Sequence, residues 1–458
     1  MDAASNLQQR IDELAVTVAE LESLSPGARV YQKKTSTPIY FLSSKADAMR
    51  EKSGELERLK SGRRVLLATV NFICIATKSS ARYILYGPRV SSWDFRTNLG
   101  RDVFWYISQA NSSGIVHRAS SRYWGVIVRS VEKAAFGDRY PSTVSCIQIP
   151  AVPVSCSIAQ NAGRWESQLL RMSAEAVASG TTIRAERIAH TSIDIPQSNH
   201  TGKAILYFHG GAYVVGSLEA YRDLHMHLSS STKLPIYSVE YRLAPQFKYP
   251  VQLYDAFCAY TYLRQGLGYE ARNIVVAGDS AGGNLALALW QLVRPHNEPI
   301  AALILLSPRV DISYTRDTWR TNSDIDYLEP ERLDDPESSI YKLLGPRDFA
   351  IIESKGTASY MKELANDPFI APINADLSEL PPTLIQASRL ETMYSDICEF
   401  AARATASVQR RGKDTKYDGP VKLQVFPDGV HVFHVVTPHM RGMDVFWGNI
   451  GSFIQSLG

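Results

Sequence analysis

Short continuous runs of apolar residues alternate with segments of helical periodicity along the C-terminal half of the chain. Six such runs follow residue 203: Ala204 to Phe208, Ile236 to Glu240, Ile274 to Ala277, Ala302 to Leu306, Thr383 to Ala387 and Lys422 to Phe426. Helical patterns lie between them, near 250 to 265, 282 to 294 and 395 to 411. Strands that are apolar on both faces and alternate with helices are typical of a mainly parallel sheet. The pattern predicts an α/β domain over 201 to 458, with its active site at the carboxyl ends of the strands.

The first 60 residues carry heptad spacing instead. Apolar side chains alternate steps of four and three at Leu7, Ile11, Leu14, Val18 and Leu21. The same steps return beyond a polar tip at 33 to 38, at Leu42, Ala46, Met49, Ser53 and Leu56. The segments on either side of the tip, 28 to 31 and 39 to 42, are typical of a β-hairpin. The spacing predicts two helices of a coiled coil that bracket one hairpin.

This arrangement resembles the β-type subunits of prefoldin and the small prefoldin-like proteins. The resemblance implies an antiparallel coiled-coil domain over residues 1 to 61. It also implies a coiled-coil protein partner, bound through residues 5 to 60. The alternative interpretation is an ordinary charged helical hairpin that packs on the main domain.

The stretch from 62 to 200 is predicted as mixed helix and loop that forms an N-terminal cap or linker. Its aromatic residues are expected in the core: Trp93, Phe95, Phe104, Trp105 and Trp124. The segment 183 to 195 suggests leading strands, and a turn is predicted at 196 to 200. The apolar run 65 to 76 is shorter than the ~20 residues that a bilayer-crossing helix needs. It predicts a buried element or, alternatively, a weak contact with an intracellular membrane.

Composition narrows the function classes. The 458 residues, enough for two or three domains, include 49 basic and 46 acidic side chains, too even a balance for a nucleic-acid binder. Five cysteines are scattered without CxxC spacing, so the sequence indicates neither a zinc site nor a disulfide framework. The polar N-terminus lacks the pattern of a secretory signal. We expect reduced thiols and a cytoplasmic location.

A strand that turns sharply into a helix carries the first chemical motif. Strand 274 to 277 runs into Gly278-Asp279-Ser280-Ala281-Gly282, and a helical pattern follows. A serine at the apex of such a turn needs very small residues two positions to either side, where the strand and the helix approach closely. Gly278 and Gly282 occupy those positions. Ser280 is therefore the candidate nucleophile, at a helix N-terminus that favours negative charge.

A glycine pair follows the first strand of the α/β domain, in the segment His209-Gly210-Gly211. Backbone N–H groups of Gly210 and Gly211, together with that of Ala281, are predicted to form an oxyanion hole. His209 itself is expected to orient this loop rather than to act as a base.

A serine hydroxyl becomes a strong nucleophile only when a neighbouring imidazole accepts its proton. His431, on the loop after the last predicted strand, is favoured over His434 for this role. The acid should lie on the loop after strand 383 to 387, where Glu391 and Asp396 are both candidates. Glu391 is preferred because Asp396 is expected to cap the following helix.

Taken together, His-Gly-Gly-Ala-Tyr, Gly-Asp-Ser-Ala-Gly-Gly and the intervening Glu-Tyr-Arg-Leu-Ala-Pro resemble the hormone-sensitive-lipase-like branch of the α/β-hydrolases, over about 203 to 454. The resemblance implies a Ser280–His431–acid triad that hydrolyses carboxylic esters, with no metal or organic cofactor. Two features depart from the family: Glu391 stands where aspartate is common, and the polar stretch 410 to 419 looks like an added loop.

The predicted substrate is a small to medium, uncharged, apolar ester, because an aromatic-lined cap favours apolar groups. The insertion from about 312 to 366 is expected to add a second flap to that cap. The alternative function is an assembly or binding protein, in which the N-terminal hairpin acts and the hydrolase-like pocket is passive or degenerate.

Overall fold

The computed structural model describes residues 2–26, 28–33, 40–112, 142–193, 202–294, 299–331, 335, 338–345, 356–410 and 421–458. The chain divides into two compact units, Met1–Thr77 and Lys78–Gly458. The predicted domain boundary at residue 61 falls inside one continuous helix, Lys45–Tyr86. The predicted turn at 196 to 200, Trp124 and nearly all of the added loop at 410 to 419 lie outside the described residues.

The first unit consists of a helix, a hairpin and the start of a second helix. Helix α1 is Asp2–Ser23, strands β1 and β2 are Arg29–Lys33 and Tyr40–Ser44, and α2 is Lys45–Tyr86. The strands pair antiparallel, with Arg29 opposite Ser44. Ile11 and Leu14 of α1 pack in a small apolar cluster with Leu56 of α2. This element order agrees with the heptad analysis, while the coiled coil and the likeness to prefoldin remain predictions.

The predicted second heptad seam is wrong in part. Leu42 belongs to β2 rather than to the helix, and Ala46 is exposed. Ala48 is buried instead. The helix begins only at Lys45, so the strand fixes the orientation of its first turn and the apolar face starts at a different residue.

An eight-stranded mixed sheet forms the second unit. Its strands are β3 Ser142–Pro150, β4 Thr182–His190, β5 Ala204–Phe208, β6 Ile236–Val239, β7 Ile274–Asp279, β8 Ala302–Leu306, β9 Thr383–Ser388 and β10 Val421–Phe426. The spatial order is β10-β9-β8-β7-β5-β6-β4-β3. The six strands from β5 onward run parallel, and β4 pairs antiparallel with both β6 and β3.

Helices connect the strands. They are α3 Phe95–Ser112, α4 Cys156–Gln160, α5 Glu166–Ala178, α6 Leu218–Thr232, α7 Val251–Thr261, α8 Ala281–Val293, α9 Thr318–Thr321, α10 Ser339–Leu344, α11 Thr357–Leu364, α12 Tyr394–Arg410, α13 Phe433–Val436 and α14 Met443–Gln455. A π-helical turn, Tyr262–Gly266, extends α7.

Burial on both faces explains the continuous apolar strands. Leu206 and Val276 face one hydrophobic cluster, and their neighbours Ile205 and Val275 face another on the opposite side of the sheet. Successive side chains of a strand point to opposite faces, so both kinds of position must be apolar here. The six predicted parallel strands are confirmed to within one or two residues at each end.

The middle region is organised differently from the prediction. Its strands β3 and β4 join the eight-stranded sheet, so residues 142 to 190 belong to the main domain rather than to a cap. The sequence of β3 lacks the continuous apolar run that marks the other strands, because β3 forms an edge of the sheet and most of its side chains are partly exposed. Of the expected core aromatics, Trp93 is buried, whereas Phe95 and Trp105 are 37% and 39% exposed.

The apolar run 65 to 76 is part of α2, so it is a helix rather than a strand, while its burial and its membrane contact stay predictions. Within the described residues, no helix combines the length and the hydropathy that a membrane crossing requires.

Candidate active site

Ser280 occupies a strained turn between β7 and α8. Its backbone has φ 49° and ψ −118°, a conformation in which few non-glycine residues are found. A side chain on Gly282 would collide with the carbonyl oxygen of Phe208, and one on Gly278 would collide with the backbone of Gly282. The Ser280 N–H donates to the carbonyl oxygen of Leu306 at 3.0 Å. These contacts hold the hydroxyl above the carboxyl end of the sheet.

His431 lies between the serine and a buried carboxylate. Its Nε2 is 2.8 Å from Ser280 Oγ, and its Nδ1 is 2.8 Å from Glu391 Oε2. His431 and Glu391 are buried, and Ser280 is 8% exposed. The sequence separations are 151 and 40 residues, so only the fold brings these three groups together. An imidazole held in this way can accept a proton from the hydroxyl while the carboxylate fixes its tautomer.

Glu391 is held by short contacts of its own. Its Oε1 accepts hydrogen bonds from the Ser388 N–H at 2.7 Å and from the Ser307 hydroxyl at 3.2 Å. Burial raises the pKa of Glu391, and the hydrogen bond from His431 opposes that rise. A carboxylate that keeps three donors stays available to stabilise an imidazolium.

Asp396, the other candidate acid, does not contact His431. Its Oδ2 accepts from Trp319 Nε1 at 2.7 Å, and Oδ1 lies 3.0 Å from Arg316 Nε. Burial raises the pKa of this carboxyl to about 6. The expectation that Asp396 caps the helix is also wrong, because it lies within the first turn of α12 and its carboxylate binds the 312 to 366 insertion.

The two other histidines near these motifs, His209 and His434, stack on aromatic rings. The His209 ring is buried and stacks on Tyr241, with centroids 4.4 Å apart, while its Nδ1 lies 2.7 Å from the carbonyl oxygen of Gly210. The His434 ring stacks on Phe446 at 5.1 Å. His209 therefore orients the glycine turn, as expected.

The predicted oxyanion role of Gly210 disagrees with the structure. Its N–H already donates to Asp279 Oδ1 at 2.9 Å and lies 3.1 Å from the Tyr221 hydroxyl oxygen. Gly211 and Ala212 follow in a left-handed turn, at φ 109° and 53°, and among the described residues neither N–H has an acceptor. Ala281 is the first residue of α8, where an N–H has no intrahelical acceptor.

Asp279 anchors that turn from below. Its carboxylate is buried and accepts from the hydroxyl groups of Tyr207 and Tyr221, each at 2.9 Å, besides the Gly210 N–H. Burial raises the pKa of Asp279 to about 6, and these hydrogen bonds oppose the rise. Asp279, next to Ser280 in the sequence, thus supports the glycine turn rather than acting as an acid at the reacting centre.

Sequence reasoning missed one residue beside the site, Asp326. Its carboxylate is buried and accepts from the backbone N–H of His431 at 3.0 Å and from that of Thr392 at 2.7 Å. Arg101 of α3 donates in turn to the carbonyl oxygen of Asp326 at 2.7 Å. No local motif marks this aspartate, because it stands in an insertion with many other acidic residues.

Aromatic and aliphatic side chains surround the His431 loop. Val430 and Val432 pack in one cluster with Trp93 and Tyr327, and the Tyr327 ring lies 6.2 Å from the His431 ring. Trp93 also donates to the carbonyl oxygen of Asp428 at 2.6 Å. Both the 62 to 200 region and the 312 to 366 insertion therefore contribute to the wall beside the imidazole.

A profile described as the alpha/beta hydrolase fold matches residues 205–435, about half of the chain. The chain belongs to the α/β-hydrolase family. The profile does not extend into the N-terminal unit, so it offers no support for the likeness to prefoldin.

Curated relatives of this α/β-hydrolase carry esterase names. The chain is 29% identical over 254 residues to carboxylesterase/phospholipase LipF of Mycobacterium tuberculosis, a match that covers 56% of this chain and 62% of LipF. It is 32% identical over 255 residues to esterase LipU of the same organism, covering 56% of this chain and 78% of LipU. The match thus spans less than two thirds of LipF.

Solved structures share the fold. The crystal structure of an esterase from the bacterial hormone-sensitive lipase (HSL) family aligns with a TM-score of 0.55 at 23% identity, covering 78% of this chain and 98% of that one. At this identity the likeness shows the fold alone.

Proposed function

We propose that this α/β-hydrolase is a serine carboxylic-ester hydrolase, with Ser280 as nucleophile, His431 as base and acid, and Glu391 as the third triad member. The observation that carries the proposal is the position of the His431 ring, 2.8 Å from Ser280 Oγ on one side and 2.8 Å from Glu391 on the other. The esterase names of relatives that match across the same region support the reaction class.

In the proposed reaction, Ser280 Oγ attacks the ester carbonyl carbon while Nε2 of His431 takes the hydroxyl proton. The tetrahedral intermediate collapses when His431 returns that proton to the departing alcohol, which leaves an acyl group on Ser280. A water molecule then gives a proton to Nε2 of His431 as its oxygen attacks the acyl carbon. When this second intermediate collapses, the bond to Ser280 Oγ breaks, His431 returns the proton to Oγ, and the carboxylic acid leaves. Glu391 holds the Nδ1 proton and stabilises the imidazolium in both halves.

The N–H groups of Gly211 and Ala281 fit the oxyanion role, and we propose that Ala212 takes the place first assigned to Gly210. The reason is that the Gly210 N–H is already bound by Asp279. Backbone donors fixed before the reaction need no reorganisation, and each one in such holes is worth about 3 kcal/mol in the transition state.

An ester with an apolar portion fits the surroundings of His431, because Trp93 and Tyr327 line that side. We propose a cap built jointly by the α3 region and the 312 to 366 insertion. Binding of a coiled-coil partner through residues 5 to 60, and a weak membrane contact through 65 to 76, remain further proposals for the N-terminal unit.

Activity-based labelling tests the proposal directly. A fluorophosphonate probe should label the full-length protein, and peptide mapping should find the adduct on Ser280, because only an activated serine reacts. Ser280→Ala should abolish both labelling and hydrolysis of p-nitrophenyl butyrate while the melting temperature stays near that of the wild type. Persistent turnover by this variant would refute the nucleophile.

A matched pair of variants distinguishes the two candidate acids. Glu391→Gln should lower kcat by about 10³- to 10⁴-fold, because the amide favours the wrong imidazole tautomer. Asp396→Asn should instead lower stability, because it breaks the contact with Arg316, and should leave kcat within a few-fold. The reverse result would reassign the acid. The passive-pocket alternative predicts neither labelling nor turnover.

A further inference from the structure

A buried arginine lies immediately behind the candidate nucleophile, on the loop that follows β8. Arg309 is 5% exposed. Its backbone N–H donates to the carbonyl oxygen of Ser280 at 3.0 Å, and its carbonyl oxygen accepts from Asn284 Nδ2 at 2.9 Å. Ser280 lies at the apex of the strand-to-helix turn, and Asn284 lies in the first turn of α8. These two hydrogen bonds therefore fix the Arg309 backbone to the elements that carry the candidate nucleophile.

The guanidinium of Arg309 lies within electrostatic range of two tyrosines that border the site. Burial raises the pKa of the Tyr213 and Tyr314 hydroxyl groups, and the positive charge of Arg309 opposes that rise. Tyr213 follows the glycine turn and donates to Asn284 Oδ1 at 2.7 Å. Tyr314 lies near the start of the 312 to 366 insertion. The charge of Arg309 therefore acts on a residue beside the glycine turn and on one of the candidate flap.

No carboxylate of the described residues forms an ion pair with Arg309, and its side chain donates no hydrogen bond there. Two carboxylates of the same region have other contacts: Asp311 accepts from the Ser313 N–H, and Glu331 accepts from the Tyr314 hydroxyl. Arg101 is as buried as Arg309, but its guanidinium has partners: it donates to Asp102 and to two carbonyl oxygens.

A guanidinium that is 5% exposed, with no counter-charge among the described residues, is less stable than a fully hydrated one, and an anion that binds it offsets that penalty. The planar guanidinium also matches a carboxylate with two parallel hydrogen bonds. The N-terminus of the 13-residue helix α8 adds positive potential to the same place. The unpaired charge thus has the chemistry of a recognition group.

We infer that Arg309 is a specificity-determining residue, which selects esters that carry a carboxylate on the acyl or the alcohol part. The inference rests on the proposed ester hydrolysis at Ser280 and changes its substrate class: the predicted uncharged ester is replaced by one with an apolar body and an anionic end.

Pairs of esters that differ only by a carboxylate test this selection. On the acyl side, p-nitrophenyl butyrate is compared with the p-nitrophenyl monoester of succinic acid, which has the same number of acyl carbons. On the alcohol side, phenyl acetate is compared with 4-acetoxybenzoate. The wild type should prefer the anionic member of at least one pair, measured as the ratio of the two kcat/KM values.

Arg309→Met should lower that ratio about 10- to 100-fold, the range expected when a hydrogen-bonded charge pair is lost. Arg309→Lys should retain part of the preference, because lysine keeps the positive charge but cannot form the two parallel hydrogen bonds of a guanidinium. The matched control is Arg272→Met, at the opposite end of β7, where the side chain is 74% exposed. That variant should keep the wild-type ratio.

The outcomes separate the two proposals. If no ester of either pair is hydrolysed, the proposed function fails. If neutral esters are hydrolysed and Arg309→Met leaves both ratios unchanged, or lowers both members of each pair equally, only the role of Arg309 is overturned. If Arg309→Met does not fold, inhibition of the wild type decides: succinate should compete with p-nitrophenyl butyrate and neutral butyramide should not, and equal inhibition by the two would refute the inference.

Discussion

At the scale of single residues, the candidate site depends on groups that carry no catalytic motif. Asp326 binds the backbone of both loops that bear the imidazole and the carboxylate, through His431 and Thr392. Asn322 adds a second tie, since its amide donates to the carbonyl oxygens of Arg389 and Glu391. The insertion therefore fixes the distance between His431 and Glu391.

We predict that Asp326→Asn lowers kcat by about 10- to 100-fold with little change in KM, because small misplacements of reacting groups carry penalties of this size. The asparagine has nearly the same shape as the aspartate but only one acceptor oxygen. In the wild type the N–H groups of His431 and Thr392 donate to different oxygens of Asp326, so one of them loses its acceptor. Steady-state kinetics with p-nitrophenyl butyrate and the pH profile of kcat/KM provide the measurement. We expect the profile to shift, since His431 moves relative to Glu391.

The control for this variant is Asp324→Asn, two residues earlier and exposed. It should match the wild type in kcat and in pH profile. A purely structural role would be indicated if Asp326→Asn lowered the melting temperature but left kcat and the profile unchanged at temperatures where the protein is folded.

His434 gives a pH dependence of stability. Its ring is buried, neither nitrogen has a hydrogen-bond partner among the described residues, and burial lowers its pKa to about 3. Between pH 6.5 and about 3 the unfolded chain binds a proton there that the folded protein does not, so stability falls as the pH falls.

We predict that His434→Phe removes this acid sensitivity while keeping the stacking on Phe446. The free energy of unfolding of the variant, relative to that of the wild type, should rise by about 2 kcal/mol between pH 7 and pH 5. Urea unfolding of both proteins at the two pH values measures the change, and His225, which is also buried, cancels in the comparison. A difference that does not change with pH would contradict the prediction.

At the scale of elements, the strand-to-helix turn that carries Ser280 is determined by steric contacts. Strand β7 and helix α8 approach β5 so closely that the backbone of Phe208 occupies the space of a Gly282 side chain. The left-handed conformation of Ser280 is one consequence of that contact. The strain is balanced by the strands on either side, β5 and β8, in which every residue is buried.

We predict that Gly282→Ala lowers the melting temperature by several degrees and abolishes hydrolysis, because strand β5 must move to admit the methyl group. A shift of about 3 °C corresponds to roughly 1 kcal/mol in a domain of this size. The matched control is Gly448→Ala in α14, where an added Cβ meets nothing within 4 Å. That variant should gain about 0.5 to 1 kcal/mol, because alanine favours the helix. Equal stability of the two variants would refute the steric argument.

At the scale of the whole molecule, the site collects residues from distant parts of the chain. Ser280, Glu391 and His431 each follow a different parallel strand, and Asp326 and Arg309 come from the loop and insertion after β8. Parallel strands place all their carboxyl ends at one edge, which is why these residues meet. The N-terminal unit, Met1–Thr77, forms a separate compact body with its own small apolar cluster.

The local pattern of apolar and small residues determined the parallel strands and the sharp turn at Ser280. Runs that must be apolar on both faces specified the parallel strands, and the spacing of small residues around Ser280 specified the sharp turn. The order of motifs along the chain also identified His431 and Glu391 as residues that the fold brings to the serine, because each follows a predicted strand. These are properties of short segments, so the sequence contains them.

The tertiary structure alone decided how backbone donors and buried charges are used. The Gly210 N–H is bound by Asp279, and the Asp326 carboxylate ties two loops together. Arg309 is buried with no counter-charge among the residues that the structure describes. The buried positions of the second heptad seam and the edge strand β3 also depend on tertiary structure, because the exposure of a side chain depends on which element packs against it. Hydrogen-bond partners and burial arise from contacts between residues far apart in sequence, and no local pattern encodes them.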